Sequence, residues 1–121
     1  MKNADRLGIF QLAKKVEELQ TKAQNKQLVL EDLAKGTFSI TNFGAFDALF
    51  GAPIIKHPEL AILGIGKITK KPIVKDNQIV IADILPISLT VDHRIIDGAD
   101  AGRFSIRFKE YLKNPLFLLM N

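Results

Sequence analysis

The apolar residues Leu7, Phe10, Leu12, Ala13, Val16 and Leu19 return mostly at three- and four-residue steps, with lysines and glutamates between them. That period is the signature of an amphipathic helix and predicts one over residues 5 to 23, with Asp5 as a candidate cap. The polar run Gln24-Asn25-Lys26-Gln27 ends it. Residues 28 to 33 predict a short helical turn. Glu31 and Asp32 lie near its start, where carboxylates suit the helix dipole, and Gly36 closes it.

The pattern then changes to alternation. Thr37-Phe38-Ser39-Ile40-Thr41 places polar and apolar side chains on opposite faces and predicts a strand. Asn42-Phe43-Gly44 suits a tight turn that leaves the Thr41 hydroxyl at a strand end. Residues 46 to 55, broken by Gly51 and Pro53, predict a packed irregular connection. A strand is expected over residues 60 to 69, where Gly64 and Gly66 permit a bulge or close backbone approach. Residues 72 to 78 read as a turn. Residues 79 to 91 read as one long central strand with an irregularity at Pro86, because proline cannot donate to a ladder.

Beyond Gly98, the side chains of Ala101, Phe104, Phe108 and Leu112 trace one side of a helix, with Ile106 off the stripe. Asn114-Pro115 stops it. The tail Leu116-Phe117-Leu118-Leu119-Met120 is apolar at a terminus, where protection is poorest. Docking on a neighbouring subunit is its favoured reading and a fold-back onto its own core the alternative. One long apolar strand and two amphipathic helices predict a two-layer α/β domain.

Composition narrows the chemistry. A chain of 121 residues has the length of one domain, and 47% hydrophobic with 25% charged residues excludes disorder. Without cysteine there are no disulfides, thiolate nucleophiles or sulfur-ligated metals. The net charge of +4 is scattered. Lys67, Lys70, Lys71 and Lys75 form one concentration that reads as a solvated face, with a phosphate-bearing small molecule or a nucleic acid as alternatives. They lack the interleaved aromatics of a stacking platform, so no nucleic-acid partner is expected. No segment approaches the roughly 20 apolar residues of a membrane span, and the N-terminus lacks a signal-peptide core. A cytoplasmic protein without a membrane partner is expected.

Two histidines cannot build a three-histidine metal site within one chain. His57, beside Pro58, reads as a loop histidine. His93 follows the apolar strand directly, so a rigid element fixes its position. Asp92 precedes it, Arg94 follows, Asp97 lies four residues on, and Gly98 permits a close approach. A structural histidine, a general base and a metal ligand sharing symmetry mates all fit this pattern. Imidazole titrates near neutrality and suits transfer of a proton to and from a thiol or hydroxyl. Acyl transfer would also need a donor for the developing oxyanion. Thr41 is the first candidate, then Ser39, Ser88 and Thr90. Asp97 could orient the imidazole or hold Arg94.

Asp92-His93-Arg94-Ile95-Ile96-Asp97-Gly98-Ala99 resembles the DHRxxDG signature of the dihydrolipoamide acyltransferases, the core components of the 2-oxo acid dehydrogenase complexes. Three other stretches agree in order and spacing: residues 36 to 44, residues 53 to 55 with 58 to 64, and residues 114 to 119. The resemblance implies a two-layer, chloramphenicol-acetyltransferase-like α/β fold (a CoA-dependent acyltransferase), of which residues 1–121 would be the C-terminal half of the catalytic domain. Lipoyl and subunit-binding domains are absent from this stretch. It implies homotrimers building a larger core, with each active site in a channel between two subunits.

In that reading His93 is the general base on the thiol of dihydrolipoamide or coenzyme A, with coenzyme A as substrate and the lipoyl group carried on another domain. No metal is implied. Thr41 stands where the family has its oxyanion-stabilising serine, and Asp97 where the family has an aspartate paired with an arginine from the earlier half. Partners would be lipoyl domains, the decarboxylase and dihydrolipoamide dehydrogenase. The rival readings are a truncated oligomerising core module with no activity of its own, and another CoA-dependent acyltransferase of the same fold.

Overall fold

A computed structural model of the chain describes residues 1–119. It divides into two compact units, Thr37–Ala101 and a second made of Met1–Gly36 with the chain from Gly102 onward.

In the second unit α1 spans Ile9–Gln24, and its stripe is the one the sequence predicts. Its start differs from expectation. Asp5 lies inside a separate 3₁₀ turn, Ala4–Arg6, and does not cap α1. Gly8 takes that position in an extended conformation, and Gln11 Oε1 reaches back to accept its N–H at 3.1 Å. The short α2, Leu30–Leu33, has the Asp32 carboxylate accepting the Val29 N–H at 3.3 Å, with Lys22 Nζ 3.5 Å away. The bond to Val29, ahead of Lys22, holds the Asp32 pKa below its ordinary value.

The third helix, α3, spans Gly98–Lys113 and crosses from one unit into the other. Within the second unit Phe104 stacks on Phe108 at 6.2 Å, and Tyr111 meets Phe117 edge-on at 6.3 Å. After Pro115 a 3₁₀ turn brings Leu118 into a cleft it lines with Leu7, Ile9 and Leu12. The fold-back reading therefore holds for Leu118, whereas Leu116 and Leu119 stay exposed. Met120, the last apolar residue of the predicted tail, lies outside the described residues.

The unit Thr37–Ala101 holds five strands in two sheets. β1 (Ser39–Asn42), β2 (Ala61–Ile65) and β5 (Ile87–Val91) form one sheet in the order β1-β2-β5, with β1 parallel and β5 antiparallel to β2. β3 (Thr69–Lys75) and β4 (Gln78–Ile84) form a separate antiparallel hairpin. The core lies on β2, where Ala61, Ile62 and Leu63 are buried.

Two expectations fall here. The turn expected over residues 72 to 78 is mostly strand. Only Asp76 and Asn77 turn, both at positive φ, 51° and 59°, as the favoured two-residue hairpin connections with right-handed twist require. Pro72 misled because proline reads as a breaker, yet in a two-stranded ribbon each strand has an outer edge where a missing N–H costs nothing. The single strand expected over residues 79 to 91 is two strands in different sheets. Leu85-Pro86 separates them, and the Pro86 carbonyl accepts the Gly66 N–H at 2.8 Å.

Gly66 is a close-approach glycine. A Cβ there would lie 1.8 Å from the Leu49 carbonyl oxygen, a contact that only backbone movement could relieve. Gly66→Ala is expected to destabilise the fold by about 3 kcal/mol, read from the midpoint of chemical denaturation. An unchanged midpoint would contradict this packing.

Candidate active site

Strand register decides which hydroxyls share a face. Thr41, Gly64 and Ser88 are in line across β1, β2 and β5, and Ser39, Ile62 and Thr90 form the row two residues along. In-register residues project to the same side of a sheet, and so do residues two apart. All four hydroxyl candidates therefore lie on one face. Gly64 leaves the middle of the first row without a side chain. A Cβ there would stand 2.6 Å from both the Phe43 ring and Ser88 Oγ.

Two of the four hydroxyls are committed within the chain. Ser88 Oγ donates to the Gly51 carbonyl at 2.6 Å, and Ser39 Oγ donates to Glu59 Oε2 at 2.5 Å. Thr41, half-buried near the end of β1, has no side-chain bond among the described residues. Its hydroxyl is available to a ligand.

His93 sits in the turn that follows β5. The turn is tied down at Asp92, whose N–H donates to the Leu60 carbonyl at 2.8 Å and whose own carbonyl accepts from Ile95 and Ile96 at 3.0 and 2.9 Å. The Asp92 carboxylate grips Arg94: Oδ1 accepts from Nε at 2.9 Å and from the backbone N–H at 3.1 Å, while Oδ2 accepts from a terminal guanidinium nitrogen at 2.6 Å. The expectation that Asp97 holds Arg94 is thereby corrected, since Asp92 is two residues away in the same turn. Asp97 instead caps α3, its Oδ1 accepting the Asp100 N–H at 2.7 Å. His93 between them is exposed.

The side-chain bond from Arg94, then its backbone bond, hold the Asp92 carboxyl down at about 2 from an ordinary value of 3.8. Because the folded pKa is depressed, the contribution of this pair is complete above pH 3.8 and disappears as pH falls through about 2. Arg94 is largely exposed, so the pair shapes the turn more than it stabilises the fold. In Arg94→Ala the Asp92 titration, followed by carboxyl carbon NMR, is expected to move up toward 3.8. A midpoint that stays near 2 would show that another group holds it.

Thr41 and His93 do not meet within this chain. Thr41 pairs with Gly64 toward the end of β2, while Asp92 bonds Leu60 just before β2 begins. The offset along the strand direction is on the order of 15 Å. His57 lies in a turn ahead of β2, as its loop reading expects. Sequence reasoning passed over Glu59, a buried carboxylate at the head of β2. The signal that could have found it is a charge directly before an apolar run. Among the described residues no group of three or more His, Cys, Asp or Glu is placed to hold a metal, and no helix is long and apolar enough to cross a membrane.

The arrangement has close counterparts among known proteins. A probable dihydrolipoamide acetyltransferase from Listeria monocytogenes superposes with a TM-score of 0.89 at 37% identity, over 93% of this chain and 48% of that one. The dihydrolipoamide acetyltransferase of Azotobacter vinelandii, studied for the role of a serine, a histidine and an asparagine in its catalytic mechanism, matches with a TM-score of 0.85 at 36% identity, over 98% and 49%. The cubic core of a pyruvate dehydrogenase multienzyme complex matches with a TM-score of 0.84 at 35% identity, over 97% and 48%. The α/β fold is thus that of an acyltransferase catalytic core.

A relative from Acholeplasma laidlawii, a dihydrolipoyllysine-residue acetyltransferase component of a pyruvate dehydrogenase complex, is 54% identical over all 121 residues, which are 22% of its length. The family model for the 2-oxoacid dehydrogenases acyltransferase (catalytic domain) matches residues 1–120, and the chain belongs to that family. It spans about a quarter of the length of such curated relatives and about half of the solved chains.

Proposed function

We propose that this chain is the C-terminal half of a catalytic domain that moves an acetyl group between coenzyme A and dihydrolipoamide. The observation that carries the reading is a coincidence of two spacings. The serine, histidine and asparagine studied in the Azotobacter enzyme are separated by the same two intervals as Thr41, His93 and Asp97.

In this reading His93 takes the proton from the attacking thiol, and the thiolate adds to the thioester carbonyl of the other carrier. The Thr41 hydroxyl donates to the oxyanion of the tetrahedral intermediate. Collapse restores the carbonyl, breaks the old carbon–sulfur bond, and the departing thiolate takes the proton back from His93. Threonine keeps the donor but narrows its rotamers. Asp97 acts by capping α3 and so holding the His93 turn. The separation of Thr41 from His93 within one subunit supports a site shared by two subunits.

An assembled core is part of the proposal, with lipoyl domains delivering the second substrate and the decarboxylase and dihydrolipoamide dehydrogenase as further partners. Support comes from exposed apolar side chains: Phe46 is 87% and Ile54 88% accessible, and Val74, Ile79 and Ile81 line the outer face of the hairpin. A cytoplasmic setting is part of this reading.

The test is transfer to dihydrolipoamide from acetyl-, succinyl- and branched-chain acyl-coenzyme A, assayed for this chain and for the full-length polypeptide. The acetyl donor is expected to win in kcat/KM by at least about tenfold in the full-length protein. Absence of transfer from all three donors would overturn the proposal.

A further inference from the structure

The strand that carries Thr41 and the turn that carries His93 are both tied to one pair of adjacent residues, Glu59 and Leu60. Glu59 is the buried charged side chain among the described residues, 9% accessible, and its Oε2 accepts the Ser39 hydroxyl at 2.5 Å. Ser39 opens β1 two positions before Thr41, on the same face of the sheet. The next carbonyl along, that of Leu60, accepts the Asp92 N–H at 2.8 Å, where β5 gives way to the His93 turn. Glu59 is itself braced, its N–H donating to the Lys56 carbonyl at 2.8 Å.

A carboxyl group withdrawn from water is costly unless hydrogen-bonded, and a bond from a hydroxyl to a carboxylate is roughly twice as strong as a neutral one. Ser39 is thus a fixed point for a strand of only four residues at the sheet edge. That matters because a slip of one residue in β1 would carry Thr41 to the opposite face. The same bond also occupies the Ser39 hydroxyl, which would otherwise be a second donor beside Thr41.

We infer that Glu59 is a positioning residue for acyl transfer: through Ser39 it sets the place of the Thr41 hydroxyl, while the adjoining Leu60 carbonyl anchors the His93 turn. The inference rests on the roles given to Thr41 and His93 above. Glu59 touches neither substrate nor reacting atoms, so its effect belongs in turnover.

The experiment measures steady-state acyl transfer by the full-length acyltransferase carrying Glu59→Ala, Glu59→Gln or Ser39→Ala, each alone and with Thr41→Val. Glu59→Ala and Ser39→Ala are expected to lower kcat about tenfold, with KM for coenzyme A and dihydrolipoamide within about twofold. Glu59→Gln restores turnover, because its amide oxygen still accepts the Ser39 proton. In the Thr41→Val background the same changes cost less than about twofold, since no hydroxyl is left to position. Should Glu59→Ala fail to assemble, Ser39→Ala, which removes a single oxygen, carries the comparison. Equal losses with and without the Thr41 hydroxyl, or full turnover in both alanine variants while Thr41→Val alone is impaired, would overturn the inference and leave the Thr41 role standing. Full activity of Thr41→Val would overturn both.

Discussion

Replacing His93 with alanine in the full-length acyltransferase is expected to lower kcat by about 10²- to 10⁴-fold, the range a positioned general base supplies. Assembly should be unaffected. His93 is exposed, and the turn around it is held by other groups: Asp92 through Leu60 and Arg94, and Asp97 through Asp100. Removing the imidazole therefore leaves the scaffold bonds in place. A signature separates loss of the base from general damage. Without the base, the residual rate should climb as pH rises, because the solution then makes the thiolate. A variant that retained its rate, or lost it together with its sedimentation behaviour, would remove the general-base assignment.

Thr41→Val should cost about 10²- to 10³-fold in kcat with little change in KM, as deletion of one oxyanion donor does. The substitution keeps the branched shape and removes the hydroxyl alone. That hydroxyl has no partner among the described residues, so no protein acceptor is left unsatisfied. Thr41→Ser is the informative companion. It keeps the donor and releases the rotamer restriction of a β-branched side chain, and its rate should equal or exceed that of the unaltered protein. If valine were as active as threonine, the donor would have to lie elsewhere, with Thr90 the remaining hydroxyl on that face that no protein acceptor claims.

Elements built from near neighbours were legible. α1 and α3 follow the 3.6-residue period, and the Asn114-Pro115 stop falls where α3 ends. β1 follows its alternation to within two residues. The hairpin of β3 and β4 was hidden because Pro72 signals a break in isolation, and only its place in a two-stranded ribbon makes it tolerable. The long apolar run through Pro86 was equally ambiguous. Its two halves have the same composition, and they part only because β4 pairs with β3 while β5 pairs with β2.

The candidate site shows the same division at finer scale. His93 and Asp97 stand in a stretch of eight consecutive residues whose types and spacing are a local fact about the chain, and Thr41 is the first of four hydroxyl candidates on strand-like segments. Which of four hydroxyls stays available was not readable. Ser39 is claimed by Glu59 and Ser88 by Gly51, each through a bond between residues far apart in sequence. Nor could order along the chain say whether Asp92 or Asp97 takes Arg94; the path of the turn gives it to Asp92 and leaves Asp97 to α3. Side-chain chemistry and short-range periodicity travel with the sequence because they depend on neighbours a few residues away. Register, partner choice and the offset between Thr41 and His93 depend on which distant segments pair, a competition among alternatives of similar local energy that only the folded chain resolves.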